Sequence, residues 1–209
     1  APADVRVETQ QPAQPVLAQH VTPHPARFGW AVAGFVVAGL ATLAVLAYLL
    51  YALGTGLLML SAALALVPLA IVLWGVKWID RWEPEPRWLL VFGFLWGGAV
   101  SVAVALLVGV GVEIAAYAAG VDPELTDMLG GVVQAPVVEE LAKGVGVLLI
   151  FLVARRYFDG PVDGIVYAAV VAGGFAFTEN ILYFASSIAE SSLFSLDATL
   201  TFFIRGIMS

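Results

Sequence analysis

Residues 134–144 read Gln134-Ala135-Pro136-Val137-Val138-Glu139-Glu140-Leu141-Ala142-Lys143-Gly144, so three ionisable groups stand inside one long apolar run. A further acid, Glu179, stands beside Asn180 in the next apolar run. Carboxylates in a dry cavity suit peptide-bond hydrolysis: one takes a proton from water while a second group polarises the carbonyl. The same cluster could carry protons or cations across a membrane. It could also be a polar knot that only holds helices together. The residues alone leave these three readings open.

Helical geometry pairs some of the charges. At about 100° per residue, Glu139 and Glu140 point about 100° apart, and Lys143 lies between them, about 40° from one and 60° from the other. One turn on, its ammonium is in reach of either carboxylate. Three such groups cost about 9 kcal/mol near the bilayer centre, against about 6 recovered from the span's Leu, Ile, Val and Phe. The helix must therefore face other helices. Pro136 should kink it or start it. Below Glu179 the next run presents Ala168, Ala172, Phe175 and Ala176, mostly small, and Gly146 lies seven residues after Glu139. Small residues let transmembrane helices approach closely.

The elements that hold these groups follow from composition. The chain has 209 residues, 61% hydrophobic and 12% charged, with mean hydropathy +0.96. Soluble domains are about half apolar and a quarter charged. A cytosolic enzyme, a disordered protein and a nucleic-acid partner are excluded, the last also by the net charge of −7. There is no cysteine, hence no disulfide framework or thiolate metal site. The expected fold is all-α, a polytopic transmembrane bundle of five spans plus the start of a sixth. The spans are Phe28–Tyr51, Leu57–Val76, one within Trp88–Ala119, Leu129–Val153 and Asp163–Ala189, and Asp197–Met208 begins the sixth. Gly54 and Gly56 make the first turn, and Gly120–Asp127 reads as a short acidic loop.

Residues 1–27 hold five prolines and both histidines, His20 and His24, and read as a flexible tail. The histidines could bind a metal weakly; a solvated tail is the plainer reading. With no starting Met and no signal-peptide pattern, the chain reads as processed, engineered or a fragment. Arg6 and Arg27 lie in the tail, three Lys or Arg in the 77–87 loop and two in the 154–162 turn, whereas the alternate loops have none. The tail and basic loops should be cytoplasmic in a multi-pass cell-membrane protein. Trp74, Trp78, Trp82 and Trp88 surround the first basic loop as headgroup anchors. Glu113 lies near the outer end of the third span, where it can snorkel. Asp163 reads as a helix N-cap.

Depth joins the two acidic segments. Glu140 is 11 residues inside the outer end of the fourth span, and Glu179 is 10 residues back from that of the fifth. Both lie roughly 15 Å deep at 1.5 Å per residue. The short 154–162 turn makes these helices antiparallel neighbours. Glu139, Glu140 and Glu179 are thus expected to share one mid-membrane pocket.

These stretches resemble the PrsW family of intramembrane proteases. Glu139-Glu140-Leu141-Ala142-Lys143 matches its EExxK motif, and Phe175-Ala176-Phe177-Thr178-Glu179-Asn180 its FxxxEN motif. Asp80-Arg81-Trp82-Glu83-Pro84-Glu85-Pro86 is similar to its juxtamembrane loop, and Asp163-Gly164-Ile165-Val166-Tyr167 to the start of its fifth helix. The resemblance covers roughly residues 77–207. The family is similar to the CAAX prenyl endopeptidases and bacteriocin-immunity proteins, whose second motif has His where this chain has Glu179.

The resemblance implies a transmembrane protease domain over 28–209 that cuts membrane-anchored proteins, such as an anti-sigma factor, on the extracytoplasmic side. Glu139 and Glu140 would activate water; Lys143, Glu179 and the motif's Asn180 would complete the site. Its implied partners are the lipid bilayer and a membrane-anchored substrate. Metal-dependent and glutamate-dependent mechanisms both stay open: three carboxylates can hold a divalent ion such as zinc, whereas catalytic zinc sites normally include His. The family's third motif, HxxxD, lies on a later helix, and the chain ends at Ser209 just before it would appear. The expectation for the chain as written is an incomplete site with little or no activity. A proton- or cation-coupled transporter is the alternative. Against it stands the lack of an inverted repeat or of paired interrupted helices. Against a purely structural core stands the excess of three Glu over Lys143 and Arg205.

Overall fold

The structure, a computed structural model, describes residues 25–158 and 160–190. The tail histidines, Arg205 and the sixth apolar run lie outside the described residues. Within them the chain is helical: α1 (Pro25–Ile79), α2 (Arg87–Leu95), α3 (Val102–Ala118), α4 (Pro123–Leu129), α5 (Ala135–Ala154) and α6 (Pro161–Glu190). Two π-helical segments, Trp96–Ser101 and Gly130–Gln134, join α2 to α3 and α4 to α5. Three stretches are long and apolar enough to cross a membrane: Gly29–Ile79, Arg87–Ala118 and Pro161–Ala189.

The first stretch has 51 residues, roughly 75 Å of helix at 1.5 Å per residue, against a hydrocarbon core of about 30 Å. Gly54 breaks it with φ 71° and ψ 167°, a conformation essentially restricted to glycine. Val45 and Leu49 from before the break share one core cluster with Leu58 and Ala65 from after it. The chain therefore doubles back at Gly54, as the sequence predicts.

Helix α6 is the core of the bundle. Of its most apolar stretch 56% is buried, against 22% and 17% for the other two. It meets α1, α2, α5 and the Trp96–Ser101 segment. The contact with that segment is backbone to backbone. A Cβ built on Gly97 would collide with the Val171 carbonyl oxygen, and one on Gly174 with the Phe94 carbonyl oxygen. A π turn leaves the regular hydrogen-bond ladder, and here Thr178 Oγ1 donates to the Gly98 carbonyl at 2.7 Å. Glycine thus makes the close approach, and Ala168 and Ala172, expected to do so, are exposed. Gly146 does behave as expected: it is buried on α5 beneath the Trp96 indole.

Three local expectations change. The 120–127 segment is not all loop: Asp122 caps α4, accepting from the Glu124 N–H at 2.8 Å, with Pro123 opening the helix. Pro136 falls in the first turn of α5, directly after a π segment, where its missing N–H is tolerated. Asp163 is not the N-cap of α6. It lies in the first turn, and its carboxylate reaches back to accept from the Gly160 N–H at 2.8 Å, the reach of an N3 acid in a capping box.

Asp163 also belongs to a buried acidic cluster that ties the 80–86 loop to α6. The Tyr167 hydroxyl donates to Glu85, and the Glu85 backbone N–H donates to Asp80 Oδ1 at 3.0 Å. Glu85, Asp163 and Tyr167 are all buried. Burial pushes the Glu85 carboxyl above the ordinary carboxylate range, with the charges of Asp163 and Asp80 adding to the shift and the Tyr167 hydrogen bond opposing it. A raised folded-state value means the native state holds the proton more tightly than the unfolded chain. The stabilisation is complete below the ordinary carboxylate range and is lost as pH rises through the raised value. The melting temperature of the wild type should therefore fall as pH rises across that window, and Glu85→Gln should flatten the dependence. Thermal melts in detergent at a series of pH values measure both.

Candidate active site

The two acidic segments face each other across α5 and α6. The Lys143 ammonium sits 4.4 Å from the centre of the Phe175 ring. This places residue 143 of one helix level with residue 175 of the other. Glu139 and Glu179 each stand one turn along from that contact in the same direction, four residues before Lys143 and four after Phe175. Glu139 and Glu179 are both half-buried. The Tyr183 hydroxyl, one turn beyond Glu179 on the same helix, donates to Glu179 Oε1 at 2.9 Å and orients that carboxylate. Asn180 is buried beside it, at 2% exposure.

Glu140 departs from the expected arrangement. It pairs with Lys143 at 2.5 Å, but its side chain is 74% exposed. The 100° between neighbouring helical positions explains this: α5 can turn only one of the two toward α6, and it turns Glu139. Lys143, 17% exposed, holds the outward acid while its charge also reaches the inward one. Glu113 is exposed on α3 and takes no part.

Phe175 lies on the face below Glu179, as the sequence places it, but sequence reasoning missed Tyr183. The signal was present, since Tyr183 stands four residues after Glu179 and shares its helix face. It also missed Trp96, whose indole N–H donates to the Ala142 carbonyl at 3.0 Å. That contact depends on a π segment, which leaves no distinctive residue pattern.

Among the described residues no three His, Cys, Asp or Glu side chains converge where one metal ion could sit. The Glu139–Glu179 pair supplies fewer protein ligands than the three of a catalytic zinc site, so the described residues do not by themselves fit a metal centre.

The fold defines a membrane-embedded helical protein in which two acid-bearing helices, α5 and α6, pack against each other. Residues 85–209, more than half of the chain, match a family described as PrsW family intramembrane metalloprotease. The chain belongs to the PrsW family. It is 30% identical over 130 residues to Protease PrsW of Clostridioides difficile (strain 630), covering 62% of this chain and 52% of that protein. It is 32% identical over 114 residues to Protease PrsW of Geobacillus kaustophilus (strain HTA426), covering 54% and 47%. The chain thus spans about half the length of the curated relatives it matches. No solved structure matches it.

Proposed function

We propose that the protein is an intramembrane endopeptidase that cuts membrane-anchored protein substrates, an anti-sigma factor being one such class, with Glu139 and Glu179 at its hydrolytic centre. Family membership supports the activity. The observation that supports the site is the seating of Lys143 of α5 on the Phe175 ring of α6, which leaves Glu139 and Glu179, each one turn along in the same direction, on the facing sides of the two helices. Glu139 takes a proton from water as the water oxygen adds to the scissile carbonyl carbon, and that proton passes to the departing amide nitrogen as the C–N bond breaks. Glu179, held by Tyr183, faces the same water. Lys143 holds Glu140 and places positive charge near the developing oxyanion. Asn180 completes the polar wall behind Glu179.

In this reading α1 supplies two spans, α2 with α3 the third, α5 the fourth and α6 the fifth, and residues 197–208 begin a sixth. The N-terminus and the 77–87 and 154–162 segments are cytoplasmic, and the acid pair lies at mid-membrane on a path open to the outer side. In this reading α6 and the bundle cover Glu139 and Lys143, whereas the exposed Glu140 is matched by the Lys143 ammonium.

The test is reconstitution of the full-length protein in liposomes with a single-span substrate. Cleavage within or beside the substrate's membrane span is expected, with no ion flux. Flux that depends on Glu179, in the absence of any cleavage, would overturn the proposal in favour of a proton- or cation-coupled transporter.

A further inference from the structure

We infer that Trp96 is a positioning residue: the π segment it opens grips α6 by backbone and α5 by indole, and so sets Glu139 against Glu179. The inference rests on the hydrolytic reading above. Three observations carry it. The Trp96 Nε1–H donates to the Ala142 carbonyl at 3.0 Å, and Ala142 lies between Glu139 and Lys143. A Cβ on Gly146, one turn further on, would strike the indole ring, so the ring sits directly against the α5 backbone. The residues immediately after Trp96 are Gly97 and Gly98, both against α6: a Cβ on Gly98 would stand 2.9 Å from the Gly174 carbonyl oxygen, and Thr178 donates to the Gly98 carbonyl at 2.7 Å. Thr178 immediately precedes Glu179.

Six residues, Trp96–Ser101, therefore touch both acid-bearing helices close to the acids themselves. In a regular α-helix, neighbouring residues also point in different directions. The π turn adds free carbonyls and a wider backbone, and this lets Gly98 accept from Thr178 while Trp96 reaches α5. The Ala142 carbonyl lies inside α5, where its second lone pair remains open to the indole without breaking the helical bond. A hydrogen bond between membrane helices is energetically modest. The indole therefore acts as a spacer that fixes distance and rotation, more than as a source of stability.

The test uses the full-length protein, which offers a chain free of cysteine over the residues given. Spin labels go on introduced cysteines at Leu148 of α5 and Ile165 of α6, both exposed. Trp96→Phe keeps a ring over Gly146 and removes the donor. It is expected to shift or broaden the label distance and to lower kcat by roughly ten- to a hundredfold, with KM unchanged. Gly146→Ala keeps the donor but pushes the indole away, and should give the same split if Trp96→Phe fails to fold. An unchanged distance and kcat in the folded variants overturns the inference, as does a shifted distance with unchanged kcat. Glu139→Gln, run in parallel, separates the two levels. If it cuts normally, the hydrolytic reading falls whatever Trp96 does. If it is inactive while Trp96→Phe behaves as wild type, only the positioning role falls.

Discussion

Glu139→Gln should reduce cleavage of a single-span substrate by about 10²–10⁴-fold, the usual contribution of a positioned general base. Glutamine keeps the shape of the side chain and its ability to hydrogen-bond, and removes the one property the chemistry needs, a site that accepts the proton of water. The substitution should not unfold the protein. Glu139 is only half-buried and glutamine has nearly the same volume, so the melting temperature should hold. Glu140→Gln should behave differently. Its side chain is 74% exposed and paired with Lys143, so the loss should be smaller and should come from releasing that lysine. The sequence treats the two glutamates as equivalent; the rotation of α5 does not. Initial rates in detergent or liposomes, with melting curves on the same preparations, read both effects.

A large loss of stability should come from Gly174→Val. A Cβ at residue 174 would collide with the Phe94 carbonyl oxygen, and the Gly98 amide nitrogen lies 3.0 Å from the same point. Both obstacles are backbone, which cannot rotate away as a side chain can. Overpacking usually costs about 1–3 kcal/mol where side chains can shift, and this site should lie at or above the top of that range, because α6 must separate from α2 and the π segment along its whole contact. Gly144→Ala provides the contrast. Residue 144 has open space around the Cβ position, and alanine favours helix over glycine, so stability should be unchanged or slightly improved. Unfolding titrations of the three proteins in mixed micelles measure the difference.

Much of the architecture is legible in the sequence because it depends on long-range sums. Apolar length sets the helices, and Gly54 marks the reversal of α1 because the conformation there belongs to glycine. The packing of α5 on α6 is legible too, since the short 154–162 turn makes them neighbours, and Lys143 meets the Phe175 ring across them. What the sequence conceals depends on single turns. The segments at 96–101 and 130–134 widen to π geometry with no residue pattern to announce it, and they decide which helix faces meet. Glycines 97 and 174, rather than Ala168 and Ala172, therefore mark the tightest crossing. Asp163 reads as an N-cap from spacing alone, but Gly160 and Pro161 start α6 early and move it into the first turn. The bond of Tyr167 to Glu85 joins residues 82 positions apart, beyond any local pattern.

The central claim is that one acid from α5 and one from α6 meet at a single point within the bundle. Disulfide formation between cysteines placed at 139 and 179, induced by oxidant in native membranes, tests it most directly, because the sequence given contributes no competing thiol. Rapid crosslinking of the 139–179 pair, with little for a 113–179 pair, is the predicted result. No crosslink at 139–179 in a protein that still folds, or one no faster than at 113–179, would contradict it.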